Sequence, residues 1–226
     1  MSLAEEVPDL RDRSFSTLFS HALRGVPCRV LGLDGGPAEL PVHDWTRPAD
    51  HHDDALLAEC VGDTLDIGCG PGRLAQRLAE RGDRRTGRRV LGIDVVPEAV
   101  AQTRARGVSA LQGSVFDPVP REGRWHTALL ADGNVGIGGD PLALLARLGE
   151  VLAPDGRVVV ELGAPGVPTS TRWARLEVAG TTSRPFRWSV VGVDGVLGLA
   201  RATGWAVTTR APFAPQRWLA VLERRP

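Results

Sequence analysis

The stretch Leu65-Asp66-Ile67-Gly68-Cys69-Gly70-Pro71-Gly72-Arg73 constrains this chain more than any other. It joins a short aliphatic run to an amphipathic one, as a strand passes into a helix. Its three alternating glycines let the backbone turn sharply and approach a ligand with no Cβ in between. A strand that feeds straight into a helix calls for a crossover to a parallel neighbour. The rest of the chain keeps that rhythm. Strands are expected at 64–67, 90–94, 109–112, 127–131, 157–162, 205–210 and 218–223. Helices are expected at 72–81, 97–106, 141–152 and 194–202, with Pro97 and Pro141 at helix starts, where a missing N–H costs little. Pro154-Asp155-Gly156 makes a turn into the fifth strand.

The loop's chemistry narrows the ligand. A dinucleotide fingerprint would place glycine at position 73, and Arg73 stands there. Asp66 puts a carboxylate beside the loop, which disfavours a pyrophosphate and suits an ammonium or sulfonium. Asp94 ends the second strand 22 residues after Gly72, where an acid accepts both hydroxyls of a ribose.

The series Asp66-x-Gly68-x-Gly70-x-Gly72, then Asp94, then Leu152-Ala153-Pro154-Asp155-Gly156 before a strand resembles the class I S-adenosylmethionine (SAM)-dependent methyltransferases, over about residues 53–223. The resemblance implies an α/β, Rossmann-like, doubly wound sheet of seven strands. Their order would be 3-2-1-4-5-7-6, the last antiparallel, under an N-terminal cap. It implies SAM as cofactor and S-adenosylhomocysteine (SAH) as product. Gly68 and Gly70 would approach the methionine moiety, with Cys69 between them also in contact, and Asp66 would hold its ammonium. Asp94 would hold the ribose, and Val95 and Phe116 would pack on the adenine. The Val115 N–H would reach adenine N1. Ser114 stands where the family commonly has an acid near the adenine amine, so Asp117 is a rival for that contact. Asp132, at the exit of the fourth strand, falls where cofactor and acceptor contacts are made.

On the acceptor side, Asp132, His126 and Glu161 are the candidate general bases, two of them at the carboxyl ends of strands. Trp45, Arg47, Asp53, Asn134 and Trp188 are candidates for the acceptor pocket or a lid. The loop 132–141 carries four glycines and the only asparagine, so its backbone is expected to lie close against something or to flex. Pro185-Phe186-Arg187-Trp188 could line the pocket or pack at the sheet edge. His43, His51 and His52 raise the question of a metal. Adjacent histidines at a helix start should point apart, however, and no metal site is expected.

Residues 1–60 are expected to form a cap or lid segment and 61–226 the methyltransferase domain. Within the cap, 14–23 should be a short helix, 32–48 a loop, and Asp50, Asp53 and Asp54 the acidic start of another helix. Residues 164–192, broken by Pro and Trp, resemble an insertion or a short extra strand.

With 27 basic and 27 acidic residues the net charge is zero, which argues against a nucleic-acid partner. The five arginines within 81–89 are best taken as a solvated loop. Three cysteines imply no disulfide framework. No signal-peptide pattern or membrane span is evident, and a cytoplasmic enzyme is expected. The activity expected is methyl transfer from SAM to an O or N atom of a small molecule, in secondary metabolism. The alternatives are an RNA or protein methyltransferase, or a non-catalytic SAM- or SAH-binding protein.

Overall fold

The structure is a computed structural model that describes residues 13–33, 36–82 and 87–225. It begins with α1 (Phe15–Leu23), β1 (Cys28–Leu31), β2 (Ala38–Glu39), α2 (Val42–Thr46) and α3 (His51–Leu57). Then come β3 (Thr64–Ile67), α4 (Arg73–Arg81), β4 (Val90–Asp94), α5 (Pro97–Ala105), β5 (Ser109–Gln112) and β6 (Trp125–Leu130). A broken 3-10 turn (Asn134–Gly139) leads to α6 (Pro141–Val151) and β7 (Leu152–Gly163). The chain closes with β8 (Ser170–Val178), β9 (Thr181–Thr182), β10 (Phe186–Val190), α7 (Val196–Ala202), β11 (Trp205–Ala214) and β12 (Arg217–Arg224).

The main sheet has seven strands in the order β5-β4-β3-β6-β7-β12-β11. The β3, β4, β5, β6 and β7 ladders are parallel, and β12 runs antiparallel to both β7 and β11. This is the expected 3-2-1-4-5-7-6 order. All four residues of β3 are buried, as both faces of a central parallel strand must be. On one face Leu65, Ile67 and Leu130 pack against Leu144, Leu148 and Val158. On the other, Leu56 and Leu57 of α3 join Leu74, Leu78, Leu129 and Val159. The turn at Pro154–Gly156 is an interruption within β7: the β6–β7 register jumps between Trp125↔Leu152 and Thr127↔Arg157.

Caps fix the helix starts. Ser14 caps α1, accepting from the Thr17 N–H at 3.2 Å, and Asp140 caps α6, accepting from Ala143 at 3.0 Å. Asp50 and Asp53 form a reciprocal capping box at α3.

A second, five-stranded sheet stands apart from the first, with order β10-β8-β1-β2 and β9 paired to β8. It joins two distant pieces of chain: β1 runs antiparallel to β8, with Val30 opposite Leu176. The segment 32–48, expected to be loop, contributes β2 and the short helix α2. The segment 164–192 contributes three strands rather than one. Leu18 and Ala22 of α1 pack on Val30, Ala174, Leu176 and Val178 of this sheet. The other side of α1 is held to α5 by Leu23 against Val96 and Ala99, and by an Arg24–Glu98 ion pair of 2.7 Å. No helix among the described residues is long and apolar enough to cross a membrane.

Candidate active site

Between the carboxyl ends of the main-sheet strands and the second sheet lies a cavity of about 590 Å³. Open α/β sheets place ligands at that edge. The glycine loop forms its floor. The N–H groups of Gly68 and Cys69 both donate to the Ile93 carbonyl, at 2.8 and 3.2 Å, which ties the loop to the tip of β4. Gly72 adopts φ +83°, and a Cβ there would lie 2.6 Å from Thr103 Oγ1. The third glycine thus lets α4 lie close against α5.

Asp66 is only 2% exposed, and one of its carboxylate oxygens, Oδ2, has no hydrogen-bond partner. The Ala75 N–H in the first turn of α4 serves the carboxyl group. Burial, and then the nearby charge of Asp132, raises its pKa from 3.8 to about 7. An orphaned acceptor costs free energy unless a donor arrives, so this group is built for a partner. Asp94 Oδ2 accepts from the Gly70 N–H and Oδ1 from the Val96 N–H, each at 2.9 Å. Its pKa is raised chiefly by burial, and those N–H groups hold the carboxylate in place.

Asp132 sits in the left-handed region, φ +51°. Its N–H donates to Glu161 Oε2 at 2.8 Å, and both its carboxylate oxygens accept from Arg73 Nη2, at 2.8 and 2.7 Å. Arg73 is 4% exposed and also pairs with Asp53, which is completely buried. Arg47 reaches Asp53 at 2.9 Å, and Arg217 binds Glu161 through two bonds of 2.7 and 2.9 Å. Burial alone would raise the Asp53 pKa, but the Arg73, Asp50 and Arg47 hydrogen bonds pull it down to about 2. Three arginines and three carboxylates thus interlock beneath the cavity.

The sequence candidates divide accordingly. Asp66, Gly68, Cys69, Gly70, Asp94 and Val95 line the cavity. So do Ser114, Val115, Phe116, Asp132 and Asn134, and from above Trp45 and Trp188. The Cys69 sulfur lies 3.6 Å from Thr103 Oγ1. Four candidates are not among the lining residues. His126 is at the amino end of β6, where its Nδ1 accepts from the Asp63 N–H at 3.1 Å, the wrong end of the sheet for a base. Glu161 is consumed by Arg217 and the Asp132 N–H, and Asp53 and Arg47 by their ion pairs.

The glycine-rich loop after β6 is packed rather than free. Asn134 Nδ2 donates to the carbonyls of Ile67 and Gly68, both at 2.9 Å. A Cβ at Gly136 would run into the Ser189 carbonyl of β10. Floor and second sheet therefore meet backbone to backbone. Of the upper wall, expectation named Trp45, Phe186 and Trp188 but missed Phe15 and Phe19 of α1 and Leu176 of β8, which also line the cavity. The i,i+4 spacing of Phe15 and Phe19 on a short helix was the available signal.

The His51 and His52 rings do not point apart as expected. Their centroids lie 3.9 Å apart, and His52 Nδ1 is 3.3 Å from the Phe213 carbonyl oxygen. No cluster of three metal-ligating side chains occurs among the described residues. Part of the basic run, residues 83–86, lies outside the described residues. Of the rest, Arg81 pairs with Asp54 and Arg89 with Asp63.

Residues 64–156 match the family described as "Methyltransferase domain". An uncharacterised 37.1 kDa protein from a transposon of Streptomyces fradiae is 33% identical over 181 residues, 71% of this chain and 48% of that protein. Trans-aconitate 2-methyltransferase of Paracidovorax citrulli is 28% identical over 135 residues, 54% of this chain and 51% of that protein. The chain thus spans about half the length of the curated relatives it matches. Among solved structures, a SAM-dependent methyltransferase from Bacteroides fragilis in complex with SAH superposes with a TM-score of 0.74. The identity is 22%, over 91% of each chain. The 1,6-didemethyltoxoflavin-N1-methyltransferase of Burkholderia thailandensis, with 1,6-didemethyltoxoflavin and SAH bound, gives 0.58 at 21% identity, covering 81% and 84% of the two chains. The fold is that of the class I methyltransferases.

Proposed function

We propose that this chain, which matches the methyltransferase-domain family over residues 64–156, binds SAM on the cavity floor and transfers its methyl group to a small molecule. The observation that carries this reading is the buried, partnerless Oδ2 of Asp66 beneath the glycine loop. A carboxylate oxygen held there without a donor fits an ammonium ligand and repels a phosphate. Asp94, fixed by two backbone N–H groups, keeps lone pairs for the two ribose hydroxyls. The half-exposed Val95 and Phe116 offer apolar faces for a flat base, and Ser114 a neutral acceptor near its amine. SAM would supply a methyl carbon on a sulfonium: an acceptor's lone pair forms the new bond as the carbon–sulfur bond breaks, and that bond's electron pair stays on sulfur.

The chain's own part is to position and to exclude water. The Arg73 and Glu161 contacts hold Asp132 in its left-handed conformation at the cavity wall. The second sheet and α1 close the cavity from above, which favours a free small molecule over a segment of nucleic acid or protein. The trans-aconitate and didemethyltoxoflavin enzymes act on small molecules, in keeping with this reading. Three free, buried cysteines suit a reducing cytoplasm.

Calorimetric titration tests the cofactor assignment. SAM and SAH should bind and NAD should not; binding of NAD, or no binding of SAM, would overturn it.

A further inference from the structure

The upper wall of the cavity carries information about the acceptor. Four rings touch in series along it. Phe186 meets Phe15 edge-on at 4.8 Å between centroids, Phe15 stacks on Phe19 at 5.3 Å, and Phe19 meets Trp45 at 5.7 Å. Leu40 and Leu176 fill between them, and Trp188 closes the side above Gly136. The polar side chains of this wall are Ser16 and Arg187. Ser16 Oγ donates to the Val95 carbonyl at 3.4 Å. Arg187 alternates with Phe186 and Trp188 along β10 and is exposed.

Among the described residues, the floor offers no base that the SAM assignment leaves free. Both oxygens of Asp94 take backbone N–H groups, both oxygens of Asp132 take Arg73, and no histidine lines the cavity. The remaining oxygen, on Asp66, lies under the glycine loop. A charged acceptor seated against these rings would have to leave water for hydrocarbon, with the exposed Arg187 guanidinium the one charged group of the described wall, at a cost of several kcal/mol. An alcohol that needs its proton removed would find no uncommitted base among the described residues.

We propose that the acceptor is an uncharged aromatic small molecule seated against the rings of Phe15, Phe19, Phe186, Trp45 and Trp188. Its reacting atom is a ring or arylamine nitrogen that already holds a free lone pair. This rests on the methyl-transfer reading above. Aromatic pairs add about 0.5–1.5 kcal/mol each beyond simple burial, so such a wall discriminates by ring as well as by charge.

Three probes of similar size separate the possibilities: isoquinoline (neutral, aromatic), 1-naphthoate (anionic, aromatic) and quinuclidine (cationic, aliphatic). Each is titrated calorimetrically into the SAH-loaded chain in mildly alkaline buffer. Isoquinoline should bind at least about tenfold more tightly than either of the others. Trp45→Gln and Trp188→Gln should each weaken it about fivefold while leaving SAH affinity within about twofold. Comparable binding of naphthoate or quinuclidine, no isoquinoline binding at millimolar concentration, or unchanged isoquinoline affinity in both variants would overturn the proposal. If SAH itself fails to bind, the methyl-transfer reading falls, and the same ranking in the unloaded chain still decides the character of the wall.

Discussion

The cavity's floor and its roof are built from opposite materials. The floor is polar, ionic and drawn largely from loops that follow β3, β4, β5 and β6. The roof is aromatic and aliphatic, drawn from α1, α2, β8 and β10. Each material suits a different task. Buried charges locked by partners hold a ligand in one pose, because moving any of them exposes an unpaired ion. Apolar surface is non-directional and accepts a range of shapes. The difference teaches that, on the proposed function, holding SAM and choosing the acceptor are physically separable tasks, and substitutions should separate them.

The largest effect is expected at the base of the floor. Arg73→Met would remove the buried cation that Asp53 and Asp132 share, leaving Arg47 on Asp53 and Arg217 at 3.4 Å from each, and unfolding in denaturant should show a loss of roughly 3–5 kcal/mol. A loss of about 1 kcal/mol or less, the worth of a surface pair, would mean that the interlocked charges do not hold the floor.

Asp94→Ala removes a charged acceptor of two hydroxyl hydrogen bonds, each worth roughly 1.5–3 kcal/mol. SAH affinity measured by calorimetry should fall by about two orders of magnitude. Unchanged affinity would remove the ribose assignment.

Asp66 sharpens the contrast through pH. Its carboxyl titrates near 7 in the fold, against 3.8 in an unfolded chain. The neutral form is thus the one the empty fold tolerates. Relative to Asp66→Asn, the wild-type chain keeps its stability below about pH 4 and loses it as pH rises through the interval from 3.8 to about 7. A cationic ligand reverses the preference, because it needs the carboxylate. SAM affinity should rise up to about tenfold per pH unit towards 7 and then level off. The Asn variant should show the flatter profile and weaker binding at pH above 7. Parallel profiles for the two proteins would sever Asp66 from the ligand.

The smallest effect belongs to the roof. Phe186→Leu keeps an apolar side chain and should cost about 1.5 kcal/mol or less in stability. SAH affinity should stay within about twofold while acceptor affinity falls. A matching loss of SAH binding would merge floor and roof into one site.

These two regions also differ in how far they could be read from residues alone. The floor's elements are contiguous: the glycine loop, Asp94 and the turn at Pro154–Gly156 occur in an order that predicts the main sheet, strand by strand. Its ionic supports were harder to see. Arg73 stands out in sequence as a missing glycine, while in the fold it is the cation on which Asp53 and Asp132 converge. Glu161 is correctly placed at a strand tip, but Arg217, 56 residues further on, occupies it. His126 fails because position at a strand's start fixes the end of the sheet it faces. The roof was the least legible. Antiparallel pairing between remote segments leaves no local period across the gap, so β1 and β8 gave no sign of one another.

That pairing has one more consequence. Arg29 and Glu177 are 148 residues apart and join across β1 and β8 at 2.6 Å. Closing so wide a loop is slow relative to local contacts, so the acceptor chamber should assemble late in folding and open early in unfolding. A chain trimmed at its front would keep its crossover sheet but leave β8 with a bare edge, a template for sticking to its own kind.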